Sequence, residues 1–120
     1  MNKQRSRLDL VTSLVEARFP LESTCRELAG YPWDADEPLV TLTPRHVANT
    51  LRRYIGGELA AADVGAWADA LELRDDVGFE DAHAAALGHA IFVLANPAVN
   101  GALTPEVARE LLSSIDERTA

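Results

Sequence analysis

The sequence predicts an all-α protein, a compact bundle of five or six helices with a central apolar helix at about residues 80–95. Three observations lead there. Apolar residues recur at helical spacing in five segments. The apolar share leans on Ala and Leu, with few aromatics and few β-branched runs. Thr43-Pro44 and Thr104-Pro105, each preceded by leucine, place a hydroxyl cap and then a proline where a helix begins. At 120 residues, 48% hydrophobic and 25% charged, residues 1–120 form one domain, large enough for a core without disulfides or metal.

The elements follow in order. Leu8, Val11, Leu14 and Val15 mark the inner stripe of a first helix, which Pro20 closes near Arg18. Pro20 opens a short second helix through Leu28, with Gly30 just past its end. Residues 30–38 contain two prolines and read as a loop. Leu39–Leu42 reads as a brief extended segment with no convincing partner strand, so no sheet is expected. From Thr43-Pro44 runs a helix with Val47, Leu51, Tyr54 and Ile55 on one face, stopped by Gly56-Gly57. The segment from about Ala60 to Leu73 places Val64, Trp67, Ala68 and Leu71 on one stripe. The segment from about Glu80 to Ala95 is apolar almost all round and belongs in the middle of the bundle. Asn96-Pro97 ends it, and Thr104-Pro105 starts a last helix that buries Ala108, Leu111, Leu112 and Ile115. The two Leu-Thr-Pro starts share capping chemistry; the apolar registers after them differ, so they do not mark a repeat.

Composition narrows the function classes. The first helix is interrupted by Asp9 and Glu16 and no small-residue cleavage site follows, so it reads as structure and not as an export signal. The longest apolar stretch, around Ile91–Ala95, is far too short to span a bilayer, and a cytoplasmic location is the default. The lone Cys25 cannot form an internal disulfide and reads as a small hydrophobe and not as a nucleophile. A net charge of −8 disfavours nucleic acid as a partner, because phosphates need Lys and Arg in excess.

That charge is unevenly placed. Of nineteen carboxylates, eight fall between Glu58 and Asp81, answered there only by Arg74. Within this window Asp69, Glu72, Asp75, Asp76, Glu80 and Asp81 are the candidate partner-binding residues, expected to be exposed and to face something positive. Two readings compete: a binding face, or a solvated face with Glu80 and Asp81 favourably placed at a helix N-terminus.

No catalytic, cofactor-binding or metal-binding residues are assigned. His83 and His89 stand six apart, on different sides of a helix, and neither His-Glu-x-x-His nor Cys-x-x-Cys occurs. Asp75-Asp76 beside Glu80 offers at most a weak divalent site. His46 and His83 lie in first turns, where such residues are commonly surface groups. Arg45, Arg52 and Arg53, near Asn49, form a basic cluster expected to pair with acids elsewhere in the bundle; Lys3, Arg5 and Arg7 form the other. Tyr31 and Trp33 are either a lid packed on the core or an exposed anchor.

The stretches Arg53-Tyr54-Ile55-Gly56-Gly57-Glu58, Trp67-Ala68-Asp69-Ala70-Leu71-Glu72 and Leu94-Ala95-Asn96-Pro97 give the chain, from about Thr43 to Leu112, its look. It resembles small acidic all-helical bacterial proteins, some of them immunity proteins encoded beside toxins. The resemblance implies a protein without catalysis or cofactors that binds a basic toxin domain through acidic side chains. It does not account for the Arg45/Arg52/Arg53 cluster. The competing expectation is a self-associating structural or regulatory module, a homodimer in which that cluster meets the acidic window of a second copy.

Overall fold

In the computed structural model, which describes residues 6–32, 35–72 and 74–115, helix dominates. The order is α1 (Arg7–Val15), α2 (Leu21–Leu28), β1 (Val40–Leu42), α3 (Pro44–Ile55), α4 (Ala61–Glu72), β2 (Val77–Phe79), a 3-10 turn (Asp81–His83), α5 (Ala84–Ala95), α6 (Pro97–Asn100) and α7 (Pro105–Ser114). Five or six helices were expected; among the described residues there are seven, one being the four-residue α6. Readings that rest on Lys3, Arg5 and Trp33 lie outside the described residues.

The helix ends obey local chemistry. Ser6 caps α1 by accepting from the Asp9 N–H, and Thr104 caps α7 by accepting from the Val107 N–H. Helix α1 ends in a Schellman turn, with Ala17 N–H donating to Leu14 O and Arg18 N–H to Ser13 O. The left-handed residue of that turn is Ala17, at φ 53°. Its methyl is fully buried, which offsets the strain that glycine would avoid. At the end of α3 the same turn uses Gly57, at φ 88°.

The core gathers one stripe from each long helix. Helix α4 buries Val64, Trp67, Ala68 and Leu71, the four residues its spacing marked. It packs most extensively on α5, which contributes Leu87, Ala90, Ile91 and Leu94, and it also touches α1 and α3. Helices α3 and α7 close the bundle from the other side through Val47, Leu51, Ala108 and Leu111. Trp67 is the largest fully buried side chain, and its indole N–H donates to Leu14 O at 2.8 Å. A buried indole without a partner would carry a desolvation penalty, so this bond fixes α4 against the end of α1. Leu8 departs from the expected inner stripe: it is 51% exposed, and Leu10 takes the inward position beside Val11, Leu14 and Val15.

Residues 40–42 do find a partner. Strand β1 pairs in parallel with β2, with Val40 opposite Val77, Thr41 opposite Gly78 and Leu42 opposite Phe79. Parallel strands need a long crossover, and α3 and α4 supply it. The expectation of no sheet fails because β2 is three residues long and sits inside the acidic window, too short for any alternation to show. Its centre must be glycine. A Cβ on Gly78 would lie 2.9 Å from Cγ of Pro38, whose ring cannot swing aside.

Replacing Trp67 by Ala is expected to cost about 3–5 kcal/mol in chemical denaturation, as large core truncations do. Trp67→Phe keeps most of the burial and leaves Leu14 O still bonded to Ala17 N–H, so about 1 kcal/mol is expected. Equal losses for the two variants would show that the hydrogen bond, and not the buried volume, carries the effect.

Candidate functional site

The six acids of the window divide sharply by environment. Asp69, Asp75 and Asp81 are exposed and make no ion pair among the described residues. Glu72 is half-buried and accepts from the Asn96 side-chain amide at 2.9 Å, tying the end of α4 to the end of α5. Glu80 pairs with His83 across one turn. Asp76, expected to be exposed, is completely buried.

The reason lies in its partners. Asp76 Oδ1 accepts from Arg74 Nε at 2.9 Å, and Oδ2 accepts from the Arg74 guanidinium at 3.0 Å and from Arg7 Nε at 3.1 Å. Its backbone carbonyl accepts from the N–H groups of Leu39 and Val40. Burial pushes the Asp76 carboxyl up, but the hydrogen bonds and charge of Arg74, and then of Arg7, outweigh it. Its pKa ends below the ordinary 3.8. Asp76 therefore contributes no surface charge, and Arg74, which answered the window in the sequence, is spent on it.

Other acids replace what is lost. Asp36 and Glu37, in the proline-bounded loop, come together with Asp75 around a shallow depression edged by Arg7, Pro32 and Leu39. The sequence reading missed them, because the loop is remote along the chain and only the β1–β2 pairing brings it beside Asp75. Neither Asp36 nor Glu37 has an ion-pair partner among the described residues.

Asp69 stands elsewhere, at the edge of an apolar groove of about 420 Å³. One wall is the small-residue face of α4, with Ala61, Ala62, Gly65 and Ala66. The other is formed by Val93 and Ala95 of α5 with Leu103 and Val107 before and on α7. Phe92, 44% exposed, and Val99, 76% exposed, add further uncovered apolar surface on α5 and α6. The groove is open because α4 presents side chains no larger than a methyl there.

The remaining candidates resolve individually. Cys25 is exposed. What burial its thiol has raises its pKa, with Arg74 opposing, so the reactive thiolate is disfavoured. Of the three clustered arginines only Arg53 is tied internally. It donates to Glu58 at 2.7 Å and to Ala17 O at 2.9 Å, and lies 5.8 Å from the centroid of the Phe19 ring. Arg45 and Arg52 stay exposed and unpaired among the described residues, against the expectation of internal pairing. Tyr31 is half-buried and packs against the core, as a lid would.

His46 has a structural duty. Its Nδ1 accepts the Thr43 N–H at 3.0 Å and lies 3.2 Å from the Thr43 hydroxyl. The ring thus takes the place that Glu or Gln usually fills in a capping box. Burial lowers its pKa from 6.5, with Glu16 opposing and Arg45 adding to the fall. No group of three or more His, Cys, Asp or Glu side chains among the described residues could hold a metal ion, and no helix there is long and apolar enough to cross a membrane. Comparison with family models, curated proteins and solved structures finds no match for this chain.

Two stability measurements follow. Asp76→Asn is expected to cost about 3 kcal/mol, the lower end for breaking a buried pair, because both arginines keep an edge in water. The neighbouring Asp75→Asn should change stability by less than about 0.5 kcal/mol. Similar losses for the two would contradict the assignment of Asp76 as the buried carboxylate.

The pH dependence has a definite sign at His46. A depressed histidine leaves the folded state with fewer protons than the unfolded one, so its contribution is complete above pH 6.5 and is lost as the pH falls through the folded value. Protonated Nδ1 can no longer accept the Thr43 N–H. Thermal melts from pH 7.5 to 5 should show a destabilisation that His46→Gln reduces; an identical slope in the variant would remove His46 as its source.

Proposed function

We propose that this chain is a non-catalytic binding protein of the immunity type, which neutralises a basic toxin domain. The observation that carries the reading is Asp69, an exposed carboxylate without an ion pair among the described residues, at the edge of an open apolar groove. Protein interfaces commonly combine an apolar centre, into which a partner side chain inserts, with a charged rim that sets orientation. A basic partner would place an apolar side chain between α4 and α7 and a Lys or Arg over Asp69. Asp75, Asp81, Asp36 and Glu37 would raise the rate of encounter through long-range attraction. Glu72 and Glu80 would contribute charge only, since each already holds a neighbour, and Asp76 would contribute nothing directly.

The test is co-purification with the product of the adjacent reading frame, followed by titration at low and high salt. The expected result is a complex whose association slows steeply with salt, and which Asp69→Lys weakens by tenfold or more, about 1.4 kcal/mol. Affinity indifferent to salt and to charge reversal at both Asp69 and Asp75 would remove this face from consideration.

A further inference from the structure

Between the end of α1 and one face of α3 lies a cleft of about 450 Å³, lined by Glu16, Arg18, Arg45, His46, Asn49 and Arg52. Every one of its lining side chains is polar or charged. Three arginines against one glutamate give it a net charge of +2 with His46 neutral, inside a chain whose total is −8. Arg18 pairs with Glu16, which leaves Arg45 and Arg52 without an acidic partner among the described residues. They stand seven residues apart on one helix face, about 10.5 Å along the axis, with Asn49 between them. The chain has surplus carboxylates, yet none among the described residues pairs with these two.

The walls of the cleft are held in place. Arg53 donates to Ala17 O, the residue between Glu16 and Arg18, and so ties the end of α1 to α3. The capping bond fixes the His46 ring: with Nδ1 accepting from Thr43, the ring proton sits on Nε2, leaving a donor unused by the cap. The result is a set of convergent donors — two free guanidiniums, one amide and one imidazole N–H — on a braced frame.

We infer that this cleft binds the phosphate group of a small phosphorylated ligand. The planar fork of arginine matches the oxygens of a phosphate in pairs. The protein's overall negative charge opposes this only through acids within the screening length of about 8 Å at physiological salt, and Glu16 is the one acid that lines the cleft. The cleft has the size of a small-molecule pocket and is much larger than one phosphate. No Phe, Tyr, Trp or aliphatic side chain lines it and every lining group is polar or charged, which suits a ligand whose remainder is polar, as in a sugar or polyol phosphate. Asn49 and the Glu16 carboxylate are placed to meet its hydroxyls.

Isothermal titration of the full chain with ribose 5-phosphate, inorganic phosphate and ribose tests this. Saturable binding is expected for the two phosphates and none for ribose. Arg45→Ala/Arg52→Ala should weaken phosphate binding at least tenfold while leaving the melting temperature nearly unchanged, since both side chains are exposed and unpaired. The single variants Arg45→Gln and Arg52→Gln, each expected to weaken binding severalfold, serve if the double variant does not fold. Tighter binding of ribose 5-phosphate than of phosphate assigns the cleft to a phosphomonoester, and equal binding assigns it to phosphate itself. No saturable binding of either, or unchanged affinity in the variants, overturns the inference. So does a salt-sensitive dimer in sedimentation that binds neither phosphate, because a second copy's acids would then occupy the arginines.

Discussion

A carboxylate with no access to water must recover its lost hydration from its neighbours, and Asp76 recovers it from two arginines in separate parts of the chain. Arg7 comes from the first turn of α1 and Arg74 from the loop after α4, while the Asp76 backbone carbonyl accepts from the N–H groups of Leu39 and Val40 at the start of β1. One residue thereby sets the start of β2, the register of the two strands and the position of α1 relative to both. The sheet is too short to be stable alone. It persists because the Asp76 carbonyl bonds at one end, the Glu80 N–H bonds to Leu42 O at the other, and β2 packs on α5. The acidic character of the window is thus partly architectural.

What the sequence made legible is what local chemistry decides. The Thr-Pro starts, the glycine ends and the four-residue stripe of α4 each depend on neighbours within a turn, so spacing suffices to find them. Strand β2 depends on a partner more than thirty residues away and on a glycine chosen by Pro38, neither of which leaves a periodic trace. Leu8 and Leu10 are equally apolar; which of them turns inward is settled by the packing of α1 on its neighbours. Asp75 and Asp76 are adjacent and chemically identical, and only the three-dimensional position of two arginines separates a surface charge from a buried one.

Counting charges along the chain therefore misjudges the surface in both directions. The window loses Asp76 to the interior, while Glu72 and Glu80 are held by Asn96 and His83. The surface regains acidity from Asp36 and Glu37, which the β1–β2 pairing carries to Asp75. The arginines follow the same logic with opposite sign. Arg53 is drawn into the fold by Ala17 O and Glu58, whereas Arg45 and Arg52, on the same helix, remain available.

His46 joins two of these threads. A Glu at the third position of α3 would have closed the capping box equally well, but it would have added a negative charge beside Arg45 and Arg52. The ring closes the box as a neutral acceptor and leaves its second nitrogen protonated. The same tautomer that starts the helix thus adds no further negative charge to the cleft beyond that of Glu16. Protonation of the ring would add a positive charge to the cleft but remove the cap that braces it. Helix start and cleft electrostatics are in this way set by one proton.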